Sequence, residues 1–220
     1  MFQQDYETIN FTAHEVLEGG VLQKLFEFPG NEKGGKNVLN KFKQFLGEIF
    51  CDGVWEEFEE KYQSEVQMML NDFTCLKQVD DENPITCPTS LVDLAEKKKD
   101  IEMFFESVEG ASWDEGTIRI TREKLMSFFA ETLQGITESL REIFTRHHSI
   151  GSIVLVGGLA ESQIIHQHII DQFGHQYKVM VPLRPQEAVL KGAVELGRNP
   201  QWVESKKKGP AWLKCLSEKF

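Results

Sequence analysis

The stretch from Ser152 to Gly158 constrains the fold more than any other part of this chain. Ser152 to Val156 is an unbroken apolar run of strand length, the pattern of a strand buried on both faces, and Gly157-Gly158 ends it. A helix is predicted from about Glu161 to Phe173 with Ile164, Ile165, His168 and Ile169 turned inward, then a strand from Tyr177 to Val181. Pro185 opens a last helix in which Ala188, Val189, Gly192, Ala193 and Leu196 share one side. Strand, helix, strand, helix in this order predicts a right-handed α/β layer.

The opening of the chain reads as a hairpin. Ile9, Phe11 and Ala13 alternate with Asn10, Thr12 and His14, Gly19-Gly20 makes the turn, Val21, Leu22, Leu25, Phe26 and Phe28 return, and Pro29-Gly30 closes it. Val38, Leu39, Phe42, Phe45, Leu46, Ile49 and Phe50 then recur at helical spacing until Cys51-Asp52-Gly53. A second helix is expected from about Trp55 to Gln78 on Phe58, Tyr62, Val66, Met69, Leu70 and Phe73. Val79 to Pro88 reads as a surface loop, and Ser90 with Asp93 as the cap of a helix reaching about Val108. Glu109 to Gly116 reads as a turn and Thr117 to Ile120 as a short strand; Thr121 is the predicted N-cap of a long helix with a stripe of Leu125, Phe128, Phe129, Leu133, Ile136, Leu140, Ile143 and Phe144. The expected organisation is a discontinuous sheet subdomain, 1–35 and 116–200, whose two halves share one sheet, interrupted by a mainly helical insertion, 36–115, and followed by a tail, 201–220.

Composition removes several classes. Hydrophobic residues make up 40% of the 220 and charged residues 27%, a globular balance. A net charge of −11 repels duplex nucleic acid and anionic membrane on average, so neither is an expected partner. No apolar stretch approaches 18 residues and Met1 to Asn10 lacks the pattern of a secretory signal, so a cytoplasmic location is expected. Cys51, Cys75, Cys87 and Cys215 occur singly, which predicts reduced thiols and neither a zinc site nor a disulfide framework.

Few residues invite chemistry. A glycine pair between a buried strand and a helix lets a flat ligand reach backbone that any Cβ would cover, and equally ends a strand with no ligand at all. Gly34-Gly35 reads as a plain loop leading into the next helix. His147-His148 and His166-x-His168 read as surface or half-buried histidines, because positions two apart on a helix point to different faces. Glu57, Glu59 and Glu60 form a solvated acidic face. No catalytic residue and no metal ligand is assigned.

The string Ile153-Val154-Leu155-Val156-Gly157-Gly158, then Ala160-Glu161-Ser162, then Glu187-Ala188-Val189-Leu190-Lys191-Gly192-Ala193-Val194, resembles the second lobe of the ATPase domain of seventy-kilodalton heat-shock chaperones, in the heat shock 70 kDa protein 12-like branch. Phe11 to Val16, Met69-Leu70 with Phe73 and Lys77, and Gly197 support it, and the match covers roughly Thr8 to Pro200. The resemblance implies an actin-like ATPase (ribonuclease H-like) α/β lobe. It implies that Gly157, Gly158 and the adjoining Leu159 lie against adenosine, that Lys77 sits near base and ribose, and that Thr8, Gly34 and Gly35 lie on the phosphate side. ATP or ADP is the implied cofactor, bound weakly or not at all. Where the main family places an arginine beside adenine, this chain has Glu161, as the type 12 branch departs there too.

The same resemblance predicts lost catalysis. The family's D-x-G-G-G-T phosphate hairpin aligns with Gln3-Gln4-Asp5-Tyr6-Glu7-Thr8, where only Thr8 is kept. Backbone N–H groups close on phosphate only where no side chain intervenes, and Asp5 and Glu7 add negative charge there. The first lobe, which in the family supplies the other phosphate hairpin, a lysine and the acidic residue for metal and water, would lie upstream of Met1. Mg²⁺ is not expected to bind without it, nor is ATP hydrolysis expected of this chain alone. The alternative is a protein-interaction scaffold that keeps the fold and binds a partner, or a second copy, through the surface a first lobe would cover.

Overall fold

The alternation at the start of the chain does form a hairpin in the computed structural model, which describes residues 8–18, 22–31, 34–74, 82–147, 149–199 and 203–204. Strands β1 (Ile9–Val16) and β2 (Leu22–Asn31) pair antiparallel with Ile9 opposite Asn31 and Val16 opposite Leu22. β2 runs through Pro29-Gly30 rather than ending there, and the ladder absorbs this in a register shift between Ile9 and Phe11. Gly19-Gly20 and Val21 lie outside the described residues. Ile9 and Phe11 face the core, partly buried.

Helix α1 (Gly35–Ile49) buries the expected stripe of Val38, Phe42, Phe45, Leu46 and Ile49. The next helix, expected in one piece, is two: α2 (Val54–Lys61) and α3 (Gln63–Thr74). Between them Tyr62 leaves helical geometry at φ −125°, closes α2 through its N–H to the Phe58 carbonyl, and offers its own carbonyl to the N–H groups of Glu65 and Val66. A residue serving both ends needs no glycine or proline, so the break carries no sequence signal.

The expected loop at Val79 to Pro88 contains strand β3 (Glu82–Thr86), with Asn83 and Ile85 buried and Pro84 exposed. β3 is an edge strand in the order β3-β5-β4, with β4 (Ala111–Asp114) and β5 (Thr117–Thr121), which is where a strand tolerates proline. The expected turn at Glu109 to Gly116 likewise contains β4; the turn itself is Glu115-Gly116, with φ +42° and +86°, the both-positive pattern of a tight hairpin. The boundary expected at 115/116 therefore falls inside a hairpin. Helix α4 (Thr89–Glu96) ends sooner than expected, followed by a 3-10 turn over Ile101–Phe104. Ser90 does not cap it: its hydroxyl donates to Glu65 Oε1 on α3, 2.9 Å away.

Helix α5 (Arg122–Arg146) is capped as expected, with Thr121 Oγ1 accepting the Lys124 N–H. Phe128 on α5 meets Phe42 of α1 at 6.1 Å and Phe73 of α3 at 6.0 Å, while Phe42 and Phe73 stack at 4.0 Å. This triad binds three helices together, each aromatic pair adding about 0.5–1.5 kcal/mol beyond burial.

Strand β6 (Ser152–Val154) pairs parallel with β7 (Lys178–Met180), with helix α6 (Gln163–Phe173) between them. The layer is α/β as expected, but β6 is buried on one face only. Ile153 packs on the core while Val154 is 55% and Val156 51% exposed. Helix α7 (Pro185–Arg198) begins at Pro185 as expected, yet Ala188, Val189, Gly192, Ala193 and Leu196 find no core to share: Pro185 is its one buried residue. Residues Val203–Glu204 form β8 beside β2. Nor do the two halves make one sheet among the described residues: β1-β2-β8 and β6-β7 are separate, and β5 belongs with β3 and β4. Ile118 and Ile120 explain this, since their full burial commits β5 to the core it shares with Ile85.

Candidate functional site

The parallel pair β6 and β7 sets the place of the candidate site. In parallel α/β layers ligands sit outside the carboxyl ends of the strands, where loops replace ladder. Here the ladder continues one bond past β6, from Leu155 N–H to the Met180 carbonyl at 2.9 Å, and then the chain turns at Gly157. Gly157 has φ +91° and ψ 176°, a conformation essentially reserved for glycine. A Cβ built on it would meet no atom within 4 Å, so the space above the bend is open.

Three hydrogen bonds hold the bend. Gly157 N–H donates 3.0 Å to the Pro185 carbonyl, its carbonyl accepts the Ala160 N–H at 3.2 Å, and the Leu159 carbonyl accepts the Ser162 N–H at 3.2 Å. The first ties the bend to the start of α7. A 3-10 turn over Gly158–Glu161 follows, and Ser162 precedes α6 with no side-chain cap. Ala160 is buried and Leu159 packs partly buried against the core, which anchors the turn. Glu161 is exposed. Gly157, Gly158 and Leu159 thus form one bend, with open space where a Cβ on Gly157 would stand.

The remaining sequence-predicted positions gather elsewhere or fall outside the description. Gly34 is buried in extended geometry at the N-cap of α1, with its carbonyl accepting the Asn37 N–H at 3.0 Å, and Gly35 is buried as the first helical residue. Thr8 is exposed at the head of β1, within 3.5 Å of Asn10 Nδ2. The pairing of Ile9 with Asn31 brings Thr8 and Gly34-Gly35 to the same end of the hairpin. Among the described residues no hydrogen bond links that end to the glycine bend. Lys77 and the residues aligned with the phosphate hairpin, 3–7, lie outside the described residues.

The histidines are structural in their contacts. His147 stacks on Phe26 at 3.8 Å, joining the end of α5 to β2. Thr137 Oγ1 lies 2.9 Å from the Leu133 carbonyl and 2.7 Å from His168 Nε2, a polar contact that joins α5 to α6. Burial pushes the His168 ring below the ordinary imidazole pKa, the neighbouring Asp171 opposing it. His148 lies outside the described residues. Among the described residues no group of three or more His, Cys, Asp or Glu is placed to hold a metal ion, and no helix is long and apolar enough to cross a membrane. Glu57 and Glu59 are less free than expected, bound to Lys61 at 2.8 Å and Lys43 at 3.0 Å.

What sequence reasoning missed is which residues stay uncovered: an apolar surface was expected where a first lobe would lie, but β6 was expected buried on both faces and the last helix to turn its stripe inward. Val154, Val156 and Met180 line the open face of the β6-β7 pair, and Val189, Leu190 and Val194 stand out from α7. The signal was present in the period: alternate residues of β6 and β7 face the core, and the others had no partner helix assigned to them.

A glycine bend at the carboxyl end of a parallel pair, on a mixed α/β chain, stands where parallel α/β layers in general receive ligands. The particular likeness is to the heat shock 70 kDa protein 12 group: the chain is 27% identical over 210 residues to heat shock 70 kDa protein 12A of Homo sapiens, and equally to that of Mus musculus. The alignment takes in 90% of this chain and 31% of each relative, so the chain spans about a third of the length of the curated relatives it matches. No family model matches. The resemblance read from the residues stands: the chain is similar to a segment of heat shock 70 kDa protein 12A.

Proposed function

We propose that this chain is a nucleotide-binding module of the actin-like ATPase kind, built as a second lobe, that takes ATP or ADP at the Gly157-Gly158 bend and does not hydrolyse ATP alone. The observation that carries the reading is the open bend itself. It offers bare backbone, fixed by Pro185 and Ala160, at the position where parallel α/β layers receive ligands, and a Cβ at 157 would project into free space that a flat base can occupy. The fit is to the adenosine end: Gly157, Gly158 and Leu159 would hold the base. Thr8, Gly34, Gly35 and Lys77 would serve the phosphates and ribose, and the nucleotide itself would supply the bond at stake. Phosphoryl transfer needs groups converging from two sides, which is why the proposal assigns this chain binding without turnover. A cytoplasmic setting belongs to the same proposal.

Thermal melting with ATP or ADP tests it. A ligand at about ten times its Kd stabilises the folded state by about 1.4 kcal/mol, a rise of about 3–6 °C in a chain of this size. The rise is expected in the parent chain and absent from Gly157→Val. No rise in either sinks the nucleotide reading, and turnover of ATP above a Gly158→Trp control sinks the claim of lost catalysis.

The uncovered face of β6-β7 and α7 favours a second reading, a scaffold that binds protein there. Concentration-dependent dimerisation without nucleotide, together with no melting shift, is its expected signature.

A further inference from the structure

Away from the bend, a cluster of reactive side chains forms where the turn between α1 and α2 meets the segment beyond α4. Cys51 lies in that turn, and its exposed thiol donates to the Asp52 carboxylate at 3.5 Å. The Lys99 ammonium, 48 positions along the chain, stands 3.9 Å from the same sulfur and 3.6 Å from Asp52 Oδ2. Thiol, carboxylate and amine therefore share one patch of surface.

The core beneath fixes this meeting. Phe50, next to Cys51, is fully buried and lies 5.9 Å from Phe104 and 6.0 Å from Phe105. Lys99 in turn holds its Nζ 4.2 Å over the Phe104 ring. Both backbones are tied as well: the Cys51 carbonyl accepts the Val54 N–H at 3.3 Å, and the Lys99 N–H donates to the Ala95 carbonyl at 3.1 Å. Packed aromatics thus hold the two positions together, independently of the charges above them.

A cysteine reacts according to its thiolate character and its exposure. Here the sulfur is open to a small oxidant, and Asp52 is placed to take the thiol proton. A sulfenic acid condenses with a neighbouring nitrogen or thiol where one is in reach, and Lys99 supplies the nitrogen.

We propose that Cys51 and Lys99 form a peroxide-driven covalent crosslink, an S–N bond from Sγ to Nζ that staples the α1–α2 turn to the segment beyond α4. In the first step a sulfur electron pair breaks the O–O bond of hydrogen peroxide; sulfur is oxidised to sulfenic acid, peroxide is reduced, and the thiol proton leaves with the expelled hydroxide as water. In the second step the deprotonated Lys99 amine attacks Sγ. The S–N bond forms, the S–O bond breaks, and the hydroxide departs with an amine proton as water. The protein loses one hydrogen from sulfur and one from nitrogen while one peroxide becomes two waters. The closed loop contains α2, α3, β3 and α4, so the bond confines the unfolded chain as a disulfide would. This goes beyond the nucleotide reading and does not depend on it.

The test treats the full-length chain, reduced and freed of reductant, with equimolar hydrogen peroxide at pH 8. The protein is then unfolded in excess iodoacetamide and mapped by tryptic peptide mass. A peptide joining Cys51 to Lys99, released by dithiothreitol, is expected in the parent. It is expected to be lost in Cys51→Ser and in Lys99→Arg, which keeps the cation and removes the primary amine. Buried Cys87 should stay reduced in all three proteins, which reports that each was folded. Cys51 carried to sulfinic acid with Lys99 free overturns the proposal, as does Cys51 left unoxidised. So does a disulfide from Cys51 to a second copy, or to Cys75 or Cys215, which lie outside the described residues. Since no nucleotide is present, failure here leaves the melting test of the bend untouched, and failure there leaves this one untouched.

Discussion

Replacing Gly157 by alanine isolates the conformation on which the site rests. At φ +91° and ψ 176° an L-residue is strained by about 1–3 kcal/mol. Packing adds nothing, because no atom lies within 4 Å of the new Cβ. The unfolded chain loses freedom with alanine, which returns about 0.4–1 kcal/mol to stability. The net is a loss of about 1–2 kcal/mol, and at 2–4 °C per kcal/mol in this size range the midpoint should fall by about 2–8 °C. Gly151→Ala is the control: its Cβ also meets open space, and its φ lies outside the left-handed region, so only the unfolded-state gain applies and its midpoint should hold or rise slightly. Circular dichroism melts of the three proteins at one protein concentration read the difference. Should Gly157→Ala melt at or above the parent while Gly151→Ala behaves as expected, the bend is not held in glycine-only geometry and the reading built on it falls.

Phe42→Ala removes a fully buried ring from the contact of α1, α3 and α5, and a loss of about 3–5 kcal/mol is expected in guanidinium denaturation. His168, held below the ordinary imidazole pKa by burial, binds fewer protons folded than unfolded, so the stability it confers is full above about 6.5 and is lost as pH falls through its folded value. His14 shifts the same way, so the informative quantity is the difference between parent and His168→Gln: the melting midpoint should drop less between pH 7.5 and 5.5 in the variant. Cys87 is buried and its thiol is pushed up to about 12, whereas Cys51 is exposed; iodoacetamide at pH 8 should alkylate Cys51 and spare Cys87 until the chain is unfolded, as read by peptide mass mapping.

Elements with a long period or a cap were legible in the sequence. α5 could be read because Thr121 caps it and its stripe spans about five turns, and α1 because its apolar residues return at three and four. β3 was not, because Pro84 and the buried polar Asn83 imitate a loop; Asn83 is tolerated inside because its Nδ2 donates to the Ile120 carbonyl at 3.3 Å across the ladder. The alternation Asn83, Ile85, Cys87 was the available signal. Of the candidate site, the bend at Gly157-Gly158 was legible as a glycine pair after an apolar run. Its openness was not, because local spacing says nothing of what lies above a turn.

The uncovered face is where local and global readings part. A run such as Ser152 to Val156 reads as buried on both faces because in parallel sheets both faces are normally covered by helices. Here α6 covers one face through Ile164, Ile165 and Ile169, and the helix that follows β7 stays exposed instead of closing over Val154 and Met180. Three residues per strand make a short ladder, and a two-stranded pair of that size is not stable without packing on at least one side. The core under Ile153 and Val179 supplies that side, so β6 and β7 form. Among the described residues nothing comparable acts on the other side, so Val154, Val156 and Met180 stay exposed there. The open space at Gly157 and the exposed stripe of α7 therefore share one setting among the described residues: an α/β layer finished on a single face.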